Sequence, residues 1–284
     1  MWNGSADTSP SARIAALLPS LQRSERRVAE AVLADPDRAV DSTAQELADT
    51  VGVGRASVVR TAQTLGYDGY PQLRVALARE RVVEQPTGES DDGALGVMRA
   101  AIARFGSGLP NIAGALTEEV VETFVAALDE AGQVVIAANG LSAPLGYDIA
   151  LRLATAGRSA AWLPDGLAQA IAARQLRPGD VLLAVSGSGA SRATLDVVDA
   201  GCEAGATVLA VTRFSRSALV ERATHTLVVP PSAESFRDEL LQTSRAAMAL
   251  VGELLVEALI VRRDSRAQAA RMAVLTEVAK SLRE

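Results

Sequence analysis

Val181-Leu-Leu-Ala-Val-Ser-Gly-Ser-Gly-Ala-Ser191 decides the fold of the longer part of this chain. Five apolar residues, Val181 to Val185, read as a strand buried on both faces, and Pro178-Gly179-Asp180 supplies the turn that starts it. Ser186, Ser188 and Ser191 are interleaved with Gly187 and Gly189, and a helical pattern then runs from Arg192 to Ala204. A strand that ends in a Ser/Gly loop and opens a helix is suited to holding an anion. First-turn N–H groups point out of the helix, the dipole adds partial positive charge, and three hydroxyls can donate. Glycine lets the backbone approach a ligand closely. Taken alone, the same loop also fits a plain strand-to-helix turn.

Apolar runs alternate with helical patterns on both sides of this stretch. Helices are expected over 94–106 and 117–130, then a strand over 134–138 with a helix over 143–156, and a strand over 159–163 with a helix over 166–175. Beyond the central strand come a strand over 207–212, a short helix near 216–222, a strand over 226–229 and helices over 238–262 and 264–283. Such alternation predicts an α/β domain with a doubly wound parallel sheet, flavodoxin-like, whose ligands bind at the carboxyl ends of the strands. Asn139-Gly140-Leu141-Ser142 is a second small-residue turn at such an end. Neither loop continues as Gly-Lys-Ser/Thr or reads Gly-x-Gly-x-x-Gly, so the nucleotide-binding fingerprints are absent.

The first eighty residues are different in kind. Short helical patterns cover 11–18 and 24–34, the latter stopped by Asp35-Pro36, and another starts at Ser42 or Thr43 and ends at Thr50. Gly52-Val53-Gly54 makes a tight turn into a helix from Arg55 to Leu65 that stops at Gly66. Two short helices joined by a glycine-bearing turn are the signs of a helix-turn-helix. In that arrangement Val53, Val58 and Val59 pack inward, and Arg55, Ala56, Ser57, Arg60 and Thr61 face the major groove of double-stranded DNA. Gln85-Pro-Thr-Gly-Glu-Ser-Asp-Asp-Gly93 is polar and turn-rich and reads as a linker, dividing the chain into 1–84 and 94–284.

Three segments carry a family resemblance: Leu21-Gln-Arg-Ser-Glu-Arg-Arg-Val-Ala-Glu30, Glu46-Leu-Ala-Asp-Thr-Val-Gly-Val-Gly-Arg-Ala-Ser-Val-Val-Arg60 and Leu65-Gly-Tyr-Asp-Gly-Tyr-Pro-Gln-Leu-Arg74. Together they resemble the N-terminal domain of RpiR-type bacterial regulators, an all-α bundle carrying a helix-turn-helix. The resemblance implies structural roles for Tyr67, Tyr70 and Pro71. Gly54 stands where the family usually has Ser, and Thr61, Gln63 and Thr64 stand where it commonly has an aromatic and two basic residues. Between residues 21 and 81, nine arginines are matched by nine acidic residues, so one domain alone is expected to bind DNA weakly and two, in a homodimer or tetramer, to bind it well.

The second half is similar to the SIS (sugar isomerase) domain, through Leu176-Arg-Pro-Gly-Asp-Val-Leu-Leu-Ala-Val-Ser-Gly-Ser-Gly189, Ala204-Gly-Ala-Thr-Val-Leu-Ala-Val-Thr212 and Ser217-Ala-Leu-Val220. That resemblance implies a phosphorylated-sugar site made by Ser186, Gly187, Ser188, Gly189 and Ser191, with Asn139, Gly140 and Ser142 from the first loop and Glu234 meeting sugar hydroxyls. Arg192 is a further candidate for phosphate charge. Alanine at 138 replaces the family's first glycine there.

Composition limits the chemistry. The 284 residues carry a net charge of −6, one histidine and one cysteine, and Lys280 is the sole lysine. A lone Cys202 excludes a disulfide framework, and no metal site or cofactor is expected. His225 and Lys280 are poor candidates for the general base that isomerisation needs. A ligand-controlled regulator is therefore expected, in the cytoplasm and away from membranes, since Trp2-Asn3-Gly4-Ser5 does not open a signal peptide. A sugar-phosphate isomerase or lyase is the alternative.

Overall fold

The computed structural model describes residues 8–84, 93–230 and 244–281. These fall into two compact units divided at Gly106 and Ser107. Most of the expected linker, 85–92, lies outside the described residues.

The first unit is helical: α1 (Pro10–Leu17), α2 (Arg23–Ala34), α3 (Pro36–Asp41), α4 (Ala44–Val51), α5 (Arg55–Thr64), α6 (Tyr70–Glu84) and the start of α7 (Gly93–Ala115). Pro36 does not simply stop a helix, as its position after Asp35 suggested. It occupies the first turn of α3, where its missing N–H costs nothing, and the Asp35 side chain accepts from Arg38 N–H at 2.9 Å. Thr43 and Glu46 form a capping box at α4, and Gly52 ends α4 with φ +71°, a left-handed conformation that glycine adopts without strain. Ile14, Val28, Val58, Leu65 and Leu73 lie in one buried cluster.

Four helix ends in this unit are satisfied by arginines from other helices. The last carbonyls of a helix lack intrahelical donors and carry partial negative charge. Arg26 on α2 reaches Leu18 O and Pro19 O after α1, and Arg27 reaches Val51 O and Gly52 O at the end of α4. Arg74 on α6 donates to Val40 O (2.7 Å) and Asp41 O (3.3 Å) of α3. Arg13 on α1 donates to Leu65 O (3.2 Å) after α5 and lies 4.8 Å over the Tyr67 ring. Tyr70 is buried and donates to Ala39 O at 2.6 Å, and burial pushes its phenol well above the usual pKa.

The second unit holds α8 (Glu118–Glu130), β1 (Val134–Ala137), α9 (Ala143–Thr155), β2 (Ala161–Trp162), α10 (Gly166–Arg174), β3 (Val181–Ser186), α11 (Arg192–Glu203), β4 (Thr207–Thr212), β5 (His225–Val228), α12 (Ala246–Arg263) and α13 (Ser265–Ser281). All strand pairs are parallel, in the order β2-β1-β3-β4-β5. β3 is central and buried at all six positions, as its apolar run predicts. Leu182 and Ala184 face Ala173, Val197 and Val198 of α10 and α11, while α8, α9 and α12 pack together as the other layer. The expected helix near 216–222 forms turns instead, the helices expected over 94–106 and 117–130 are α7 and α8, and the described part of the helix expected over 238–262 starts at Ala246.

Replacing Tyr70 by Phe leaves Ala39 O buried without its donor and is expected to cost about 1–3 kcal/mol. Urea unfolding followed by far-UV circular dichroism measures this, and an unchanged midpoint counts against the role.

Candidate functional site

The strand order reverses between β1 and β3, and the two small-residue turns leave the carboxyl ends of these neighbours. Open parallel sheets bind ligands at such a switch point, because the crossing helices leave a crevice there. Asn139 to Ser142 leave β1 through a short 3-10 turn, Gly140–Ser142, with Gly140 at φ +56°. Ser142 is buried, and its Oγ accepts from Gly187 N–H at 3.4 Å. The two loops, 45 residues apart in the chain, therefore meet.

Within the second loop, Ser186 is the last, buried residue of β3, and Gly189 N–H returns to Ser186 O at 3.2 Å. Gly189 has φ +60°, and a Cβ there would collide with Ser217 Oγ and come within 2.6 Å of Ser217 Cβ and 3.0 Å of Thr212 Oγ1. Both its conformation and its surroundings require glycine. Ser188 is exposed, and its Oγ accepts from Ala190 N–H at 3.3 Å. Ser191 occupies the N-cap position of α11 without making a side-chain cap. The loop thus gathers hydroxyls and N–H groups over the amino end of a helix, where partial positive charge favours an anion.

Asn139 is held by neighbouring helices. Its Nδ2 donates to Gln169 Oε1 (3.0 Å) and Thr194 Oγ1 (3.3 Å), so this amide holds the loop to α10 and α11. Gln169 is fully buried and also bonds Ala138 and Leu163, which makes it the hub of the first loop. Nothing in the sequence pattern distinguished Gln169 or Thr194 from other helix residues. Arg192 is exposed on α11, and Glu234 lies outside the described residues. His225 opens β5, at the amino end of a parallel strand and so at the opposite edge of the sheet from both loops. Lys280 is exposed and paired with Glu277 on α13. Among the described residues no cluster of three or more His, Cys, Asp or Glu could hold a metal ion, and no helix is long and apolar enough to cross a membrane.

In the first unit, α4 and α5 are linked by Gly52-Val53-Gly54, as a helix-turn-helix requires. Arg55, Ala56 and Arg60 are exposed on α5. Ser57 and Thr61, expected to face a groove, are instead buried, with Thr61 Oγ1 donating to Ser57 O at 2.7 Å. Val58 is buried as expected, whereas Val59 is only half-buried. Positions 56, 59, 60 and 63 follow a helical repeat, so Val59 and the exposed Gln63 share the outer face.

Comparison with known proteins identifies both units. The helix-turn-helix domain of the rpiR family matches residues 10–82, and the SIS domain matches residues 127–258. An HTH-type transcriptional regulator of Escherichia coli K12, YfhH, is 31% identical over 224 residues, covering 76% of this chain and 79% of its own. A regulator of Caldanaerobacter subterraneus is 25% identical over 242 residues, covering 84% and 86%. Among solved structures, NanR of Vibrio vulnificus, complexed with ManNAc-6P, superposes with a TM-score of 0.80 at 21% identity over 97% of this chain and all of that one. The sugar isomerase domain of an RpiR transcription factor from Sphaerobacter thermophilus gives 0.52 at 25% identity, over 63% of this chain and 98% of that one. With a helix-turn-helix bundle followed by a parallel-sheet SIS domain, this chain belongs to the RpiR family of transcriptional regulators.

Proposed function

We propose that this regulator binds its DNA operator through the outer face of α5 and that a phosphorylated sugar, held between the two loops of the SIS domain, controls that binding. The observation that carries the reading is the junction of Ser142 Oγ with Gly187 N–H, which brings two hydroxyl-bearing turns to one switch point. Ser186, Gly187, Ser188, Gly189 and Ser191 bind the phosphate, Gly140 and Ser142 border the sugar, and Asn139 positions the first turn. The complex of NanR with ManNAc-6P, a phosphorylated sugar, supports the ligand class.

The protein senses this ligand without transforming it. Isomerisation requires a base within hydrogen-bond reach of the proton removed, and the lone histidine lies at the far edge of the sheet. Arg55, Ala56 and Arg60 contact DNA, and two copies of the chain read the two halves of a symmetric operator in the cytoplasm. The ligand controls binding only by preferring one arrangement of the pair over another.

Replacing Arg55 and Arg60 together by Ala is expected to weaken operator binding by at least tenfold, each lost base contact being worth about 1–3 kcal/mol, while ligand-induced thermal stabilisation persists. Gel retardation on DNA upstream of the gene measures this, and unchanged affinity refutes the assignment of α5. Replacing Ser186 and Ser188 by Ala is expected to abolish the rise in melting temperature produced by the one active member of a phosphorylated-sugar panel. An equal rise in the variant refutes the phosphate site. Turnover of any panel member identifies an enzyme and refutes the sensor reading.

A further inference from the structure

Two arginines that the sequence patterns did not single out converge on the Ser/Gly loop. Arg245, just before α12, has its guanidinium carbon 3.3 Å from where a Cβ on Gly187 would stand, with both terminal nitrogens at 3.5 Å. Arg213, directly after β4, is only 3% exposed. Its backbone N–H donates to Gly187 O at 3.3 Å, and its Nη1 donates to Ser244 O at 3.1 Å. Arg245 Nη1 donates to that same Ser244 oxygen at 3.4 Å. One carbonyl thus gathers two guanidiniums beside the residue whose N–H meets Ser142. Close by, Thr212 is wholly buried with an Oγ1 that has no hydrogen-bond partner among the described residues, and this oxygen lies 3.0 Å from the Cβ position of Gly189.

Charge decides what such an arrangement is for. The hydroxyls and N–H groups of the loop are neutral donors, whereas a phosphate monoester carries about −1.5 to −2 near neutral pH. Removing that charge from water is costly unless an opposite charge meets it. A guanidinium remains charged, carries five N–H donors and matches phosphate oxygens with a planar fork.

We propose that Arg245 is the charged contact for the phosphate group and that Arg213 is its positioning residue. By holding the Ser244 carbonyl and the Gly187 carbonyl together, Arg213 fixes the start of α12 against the loop, and Arg245 lies over Gly187 as a result. The inference rests on the reading of residues 186–191 as a phosphate site. It assigns the charge to Arg245 and Arg213 in place of Arg192. It also makes the doubly charged oxyanion, and not the sugar, the group that this part of the site requires.

Calorimetric titration of the full chain with inorganic phosphate and with sulfate tests this, because each fills the loop without needing a sugar. Both are expected to bind the unaltered protein. Arg245→Gln is expected to weaken both by roughly 10- to 100-fold, and Arg245→Lys to recover part of the loss by restoring charge without the fork. Arg213→Gln is expected to weaken binding too, with no further loss when combined with Arg245→Gln. Additive losses overturn the positioning role, and Arg213→Lys replaces Arg213→Gln in this cycle if the latter does not fold. Unchanged binding by Arg245→Gln overturns the proposal. The phosphate-loop reading survives that result if Ser186→Ala with Ser188→Ala still abolishes binding. Failure of the unaltered protein to bind either anion, or binding that survives all of these changes, overturns both.

Discussion

The backbone between Ser186 and Ser191 turns through two positions, Gly187 and Gly189, where a side chain would meet its neighbours. At Gly189 the space for a Cβ is taken by Ser217 and Thr212, and at Gly187 it is bordered by the Arg245 guanidinium. The turn follows a strand buried along its whole length, so it cannot shift outward without dragging apolar residues into water. The sheet fixes where the loop begins, and the loop's tightness fixes where its N–H groups point. The rest of the site is assembled around that rigid piece: Ser142 from one side, and the ends of β4 and the approach to α12 from the other.

Much of this was legible before any coordinates, for simple reasons. An apolar run between a Pro-Gly-Asp turn and a Ser/Gly loop has few other conformations available, and repetition of that pattern leaves a parallel sheet as the natural answer. The helix-turn-helix was equally readable from its glycines and its Leu-Gly-Tyr segment. What escaped were facts about facing. Ser57 and Thr61 are small and polar, and so look external, yet Thr61 satisfies its hydroxyl on the carbonyl four residues earlier and can be buried. The Asn139 Nδ2 is engaged by Gln169 and Thr194, which belong to helices 30 and 55 residues further along. Arg213 and Arg245 could not be paired from sequence because the Ser244 carbonyl that joins them is a backbone atom without a side-chain signature.

The two units divide their work by the types of residue they deploy. The sheet domain offers hydroxyls and backbone N–H groups at one edge and keeps its sole histidine at the other. The helical unit spends much of its positive charge internally. Of the nine arginines between residues 21 and 81, Arg26, Arg27 and Arg74 are engaged on carbonyls, while Arg55 and Arg60 are exposed on α5.

The arginine-capped helix ends have a further consequence, for covalent control. Lysine acetylation acts by neutralising an ammonium, and this chain has one lysine, an exposed residue on α13 paired with Glu277. The arginines that reach the ends of α1, α3, α4 and α5 do so through guanidiniums, which are not acetyl acceptors. These helix-end contacts therefore lie outside the reach of lysine acetylation.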